Sequence, residues 1–286
     1  MPHGALQPAA VGGLLFNAMT WGLSWWPMRQ LEAAGLHPLW ATAIIFLISS
    51  AVISLRAPAA WRELLSSPPL WLILLAAGTT NASFNWGVTA GDVVRVILLF
   101  YVMPLWAVLL ARLVLHEPIT RAAVLRVLMG LAGALVVLWP TEPGRALSVQ
   151  PVDLLGLLGG FSFAVNNIML RREAHRSGGG RGLAMFLGGC LVSTTLALLL
   201  PVPLPPAPGP WLAGAVAMGL AFLASNLALQ YGVSRLPANA TAVIMLTEVL
   251  WASGSAMALG AGAMTPQLAL GGALILGAAA LAALRP

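Results

Sequence analysis

The chain has 286 residues, of which 59% are hydrophobic and 8% charged, with a net charge of +6. No globular core of this size hides so much apolar surface, so the excess faces lipid, and a spanning helix needs about 20 apolar residues. Ten such helices leave no room for a sizeable soluble domain. All 14 basic residues are arginine, which excludes a P-loop lysine and a Schiff-base lysine. An ATP-driven pump would need its motor on another chain.

Apolar runs broken by Arg, Pro or Gly predict ten spans, at about 9–28, 38–55, 69–88, 93–114, 122–139, 152–170, 182–200, 211–231, 237–259 and 267–284. Short alternating strands are absent, so the fold class expected is an all-α integral membrane protein rather than a β-barrel. The first span has no Lys or Arg before it and is read as retained, not as a secretory signal. With a cytoplasmic N-terminus, eleven arginines fall in inside connections: Arg56, Arg62, Arg112, Arg121, Arg126, Arg171, Arg172, Arg176, Arg181, Arg235 and Arg285. Only Arg29, Arg95 and Arg145 fall outside. This bias predicts that both termini are cytoplasmic. Arginines scattered between apolar runs suit topology signalling, not nucleic-acid binding. Trp25, Trp26, Trp40, Trp71, Trp86, Trp139 and Trp211 fall at span ends, as interfacial rings do.

A shift of 145 residues lays one half over the other. Asn81 then meets Asn226, Asn85 meets Gln230, Trp86 meets Tyr231, Gly87 meets Gly232 and Trp106 meets Trp251. Residues 81–120 share 8 identities in 40 with their counterparts. Five spans is an odd number, so the second half would sit upside down relative to the first. The expected organisation is a five-helix repeat over 1–140, a periplasmic connection over 141–151 and a second five-helix repeat over 152–286. Inverted repeats of this kind characterise secondary transporters, with the site near midplane between them.

Glu248 is an acid near the middle of the ninth span, where an ionised carboxylate costs about 2.5–3.5 kcal/mol on insertion scales. It is the candidate for proton coupling or for recognition of a substrate amine; the alternative is a carboxyl that ties two helices together. Asn17, Asn81, Asn85, Asn166, Asn167, Asn226 and Gln230 are amides in otherwise apolar helices, suited either to a pathway or to interhelical bonds. Asn81 and Asn226 lead this set because the repeat relates them. Trp21, Tyr101, Trp106 and Trp251 could wall a site for an apolar or aromatic substrate, or make a cation–π contact. Pro104 removes a hydrogen bond within the fourth span and is a hinge candidate. Arg95, close to Asp92, is expected to snorkel to the outer interface. Gly156 and Gly160 stand at GxxxG spacing, which favours close helix contact. No metal ligand set, cofactor motif or catalytic constellation is present: His3, His37, His116 and His175 fall in tails or connections, so an intramembrane enzyme is not expected.

The run MPLWAVLLARLVLHEPIT from Met103 to Thr120, followed by Gly133, resembles the drug/metabolite transporter superfamily, EamA type, as does Trp21-Gly22 in the first span. The second half offers TEVLWASGSAMALGAGAMT from Thr247, followed by Gly271. There Glu248 matches the acid that often precedes the proline, while Val249 replaces that proline and Gly262 stands where Glu117 stands in the first half. The layout is similar to the branch of bacterial amino-acid exporters that includes aromatic amino-acid exporters. The resemblance implies two inverted five-helix repeats and export of small metabolites across the inner membrane of a bacterium by alternating access. It implies a small-molecule substrate, the lipid bilayer as surroundings, and no cofactor or obligate protein partner. A passive facilitator or channel, or export of another metabolite or drug, is the alternative.

Overall fold

The computed structural model describes residues 8–114, 116, 118–139, 149–200, 202–233, 235, 244, 245 and 247–284. Among them, thirteen α-helices are seen and no strand. Pro237, Glu117, Arg145, Arg285 and most of the connection 141–151 lie outside the described residues.

Local sequence sets where the helices begin. In α3 (Pro38–Arg56) and α5 (Pro68–Ala90) a proline opens the first turn, where its missing N–H leaves no bond unmade. The His37 ring accepts from Leu39 N at the start of α3. The Asp92 carboxylate caps α6 (Val93–Phe100) through Arg95 N at 2.8 Å, and Thr120 caps α8 (Arg121–Leu138) through Ala123 N at 3.1 Å. At α9 (Pro151–Arg172), Asp153 reaches back to Gln150 N at 2.7 Å. Ser177 caps α10 (Gly178–Leu199) through Gly180 N. The first span divides into α1 (Pro8–Leu23) and α2 (Trp25–Ala33) at Ser24, whose hydroxyl donates to Trp21 O at 2.7 Å. The fourth divides into α6 and α7 (Met103–Val114) at Tyr101 and Val102, just ahead of Pro104, which supplies no N–H to bridge the gap. A short helix, α4 (Ala59–Ser66), joins α3 to α5. The rest are α11 (Pro210–Val233), α12 (Thr247–Ala258) and α13 (Pro266–Leu284).

Among the described residues, five stretches are long and apolar enough to cross a membrane: Pro38–Arg56, Val93–Val114, Pro151–Arg172, Gly178–Leu199 and Pro210–Leu229. The apolar parts of α8 and α13, Ala123–Val137 and Pro266–Ala278, are shorter than those. Helix α5 is long but carries Thr79, Thr80, Asn81, Ser83, Asn85 and Thr89. The outer surface is apolar, with Leu55 83% exposed and Leu113, Leu199 and Leu250 also exposed, as a lipid-facing surface should be.

Helix α5 packs between α9 and α10, α10 against α3, α1 against α11 and α12, and α8 against α13. Glycines make these seams close. A Cβ on Gly160 of α9 would run into the Phe100 carbonyl of α6, and one on Gly156 would come within 2.8 Å of Val96 O. The GxxxG pair therefore serves a contact within the chain. Gly133 and Gly271 face each other across α8 and α13, each barring a Cβ on the other through its carbonyl oxygen at 2.7–2.8 Å.

Candidate functional site

The end of α6, just ahead of α7, meets α12 inside the molecule. Tyr101 forms the C-cap of α6 and Glu248 lies in the first turn of α12. The Tyr101 hydroxyl donates to Glu248 Oε2 at 3.1 Å. Tyr101 is buried and Glu248 half-buried. No ion pair between Glu248 and a basic side chain occurs among the described residues. A lone carboxylate with one neutral donor can take a proton or an amine; it has nothing to offer a phosphate.

Aromatic rings lead away from this pair. Phe100 touches Tyr101, Phe84 touches Phe100, Trp21 meets Phe84, and Phe222 stacks on Trp21 with centroids 4.4 Å apart. Phe46 and Phe186 continue the chain beyond Phe222. The rings come from α1, α3, α5, α6, α10 and α11, so Trp21 joins two parts of the core. A cleft of about 190 Å³ between α1, α2 and α11 is lined by Thr20, Leu23, Trp26, Met218 and Phe222. Glu248 does not line it.

The remaining sequence candidates are spread through the bundle. Asn17 donates to the Ser225 carbonyl at 3.0 Å and to the Ser225 hydroxyl at 2.6 Å, fastening α1 to α11. Asn81 donates to Ala77 O on its own helix at 2.7 Å. Asn85 donates to the Thr42 hydroxyl at 3.1 Å, and its Oδ1 is buried with no partner. Asn166 is buried with Oδ1 likewise unpartnered, whereas Asn167 is exposed. Asn226 is half-buried and engaged. Trp106 meets Phe161 edge to face at 5.2 Å, and its Nε1 has no partner. Trp251 is 42% exposed on α12, where its Cβ and the Glu248 carbonyl crowd Gly22 of α1. No ring contact of Trp251 with the aromatic chain occurs among the described residues. Pro104 stands in the first turn of α7, beside the break. The Gln230 side chain lies outside the description.

Two contacts differ from the sequence reading. Arg95 does not snorkel free: its Nε and Nη2 grip Asp153 at 2.7 and 2.9 Å, and Nη1 donates to Val137 O at 3.2 Å. Asp92 is occupied as a helix cap, which frees Arg95 to reach α9. Trp25 is not an interfacial ring but 2% exposed, and its Nε1 donates to the Ser255 hydroxyl at 2.9 Å. An acid at the start of a span, such as Asp153, was the available signal for the first; nothing local marks the second. Among the described residues no group of three His, Cys, Asp or Glu side chains could hold a metal ion.

A solved structure, described only as the crystal structure of a protein, covers 97% of this chain and 97% of its own at 22% identity, with a TM-score of 0.60. That likeness is one of fold. No curated protein matches the chain. Residues 9–139 match the EamA-like transporter family, whose members are membrane transporters of small molecules.

Proposed function

We propose that the chain is a secondary transporter that exports small metabolites, neutral or aromatic amino acids first, by alternating access across a bacterial inner membrane. Ten crossings would form two inverted halves, 1–140 and 152–286, with 141–151 periplasmic and both termini cytoplasmic. Helix positions support the repeat. A shift of 145 residues carries α8 onto the start of α13 and α7 to within one residue of α12, and brings α1, α3 and α5 close to α9, α10 and α11. Packing repeats as well: α5 on α9 has its counterpart in α11 on α1, while α3–α10 and α8–α13 are self-paired.

The observation that carries the reading is the Tyr101–Glu248 hydrogen bond, which joins the two halves at the break in the fourth span. Discontinuous helices at midplane are where transporters hold their ligands. An α-amino group could take the place of the Tyr101 hydroxyl on Glu248, and the Trp21, Phe84 and Phe100 rings would receive an apolar side chain. Proton uptake by Glu248 would then supply coupling.

Flux of labelled amino acids in proteoliposomes, with and without a proton gradient, tests this. Glu248→Gln is expected to abolish the response to the gradient. Tyr101→Phe removes the hydrogen bond that the substrate amine displaces from Glu248, about 1.5–3 kcal/mol, and is expected to lower the KM for flux about tenfold or more. Flux of another metabolite with none for any amino acid would overturn the substrate; an unchanged Glu248→Gln profile would reassign the residue to packing.

A further inference from the structure

Helix α4 shows three stripes. Ala60 and Leu64 are buried and pack against Leu70, Ile73 and Leu183. About 100° further round, one residue on in a helix, Trp61 and Leu65 are exposed. The next stripe carries the exposed Arg62. Leu55 and Arg56, at the end of α3, are exposed beside it, as is Trp71 at the start of α5.

Both indoles are anchored through their N–H groups while their rings face outward. Trp61 Nε1 donates to the Ser54 hydroxyl and Trp71 Nε1 to Leu64 O, each at 2.9 Å. Tryptophan rings partition to the headgroup level of a bilayer. The acid on the same helix is unavailable to the arginines: Glu63 accepts from both Ser177 N and the Ser177 hydroxyl. Neither Arg56 nor Arg62 makes an ion pair among the described residues. Two exposed guanidinium groups without an ion pair among the described residues thus accompany an exposed apolar and aromatic set on α4 and the adjoining ends of α3 and α5.

We propose that α4 and the adjoining ends of α3 and α5 form a binding site for an anionic phospholipid. Arg56 and Arg62 supply the charge for the headgroup phosphate, and Leu55, Trp61, Leu65 and Trp71 receive the upper acyl chains. The site requires only that the chain be embedded in a bilayer, whichever way round, so its loss would leave the transport reading untouched.

Native mass spectrometry of the delipidated full chain, titrated with phosphatidylglycerol or phosphatidylcholine, tests the site. The parent is expected to retain phosphatidylglycerol in preference. A basic residue near a lipid surface contributes about 1 kcal/mol, so Arg56→Gln/Arg62→Gln should weaken phosphatidylglycerol binding by about fivefold per arginine and leave phosphatidylcholine binding unchanged. Arg62→Lys keeps the charge and should keep the preference. Arg112→Gln/Arg121→Gln removes the same charge elsewhere and should have a smaller effect. No preference in the parent, no loss in the double variant, or an equal loss in the control pair would each overturn the proposal.

Discussion

Arg95 and Asp153 meet as a two-point ion pair, Nε to Oδ1 at 2.7 Å and Nη2 to Oδ2 at 2.9 Å, that ties the outset of α6 to the outset of α9. The Asp153 side chain is 0% exposed and that of Arg95 19%. Removing either partner is therefore unequal in cost. Arg95→Met strands a buried carboxylate and is expected to destabilise by about 3–5 kcal/mol. Asp153→Asn leaves a guanidinium that still reaches solvent and Val137 O, and should cost less. Thermal unfolding in detergent, followed by tryptophan fluorescence, checks the order.

Glu63 gives the protein an acid-sensitive tie between α4 and α10. The Ser177 hydroxyl, in first place, and the Ser177 N–H together with Arg176 and Arg181 hold its carboxyl below the ordinary 4.5, against the opposing effect of burial. A carboxyl lowered in the fold stabilises it above the unfolded value, and that contribution is lost as pH falls through the lowered folded value. The unfolding temperature should accordingly drop as the medium is acidified below 4.5. Ser177→Ala removes the leading cause and the cap on Gly180 N. It should cost about 1 kcal/mol at neutral pH and flatten the acid limb of the profile.

Glycines at close seams and glycines with room for a Cβ should respond oppositely to alanine. A Cβ at Gly188 would strike the Leu74 carbonyl and one at Gly160 the Phe100 carbonyl, whereas Gly130 has nothing within 4 Å. Backbone cannot step aside as a flexible side chain can, so Gly160→Ala and Gly188→Ala should each reduce the yield of folded protein. Gly130→Ala should gain up to about 1 kcal/mol from helix propensity. Size-exclusion profiles and melting temperatures of the three variants distinguish the outcomes.

Orientation is open to direct labelling. In a Cys190→Ser background, Ala59→Cys and Ala174→Cys, both at exposed positions, should react with impermeant thiol reagents from the cytoplasm. Val149→Cys and Ala207→Cys, also exposed, should react from the other side. Reversal of both pairs would invert the topology. Disagreement within a pair would change the number of crossings.

Helix starts were legible because their determinants are local. Pro38, Pro68 and Pro151 open helices where the chain offers a proline after a polar break. The break ahead of Pro104 was legible for the same reason. The site was legible only in part: Glu248 stood out as an acid in an apolar run, and Tyr101 as an aromatic of the fourth span, but nothing in either segment joined them. Asn17 and Asn85 were indistinguishable from pathway residues, because an amide in an apolar helix looks the same whether its partner is a ligand or Ser225 or Thr42.

By itself the sequence determined that this chain lives in lipid as helices, since transfer free energy adds residue by residue and needs no neighbour to be known. Only the tertiary structure decided that Glu248 answers to Tyr101, that Arg95 answers to Asp153 and that Gly160 meets Phe100. The helical period says which side chains share a face. Which helix comes to lie against that face depends on close packing among segments far apart in the chain.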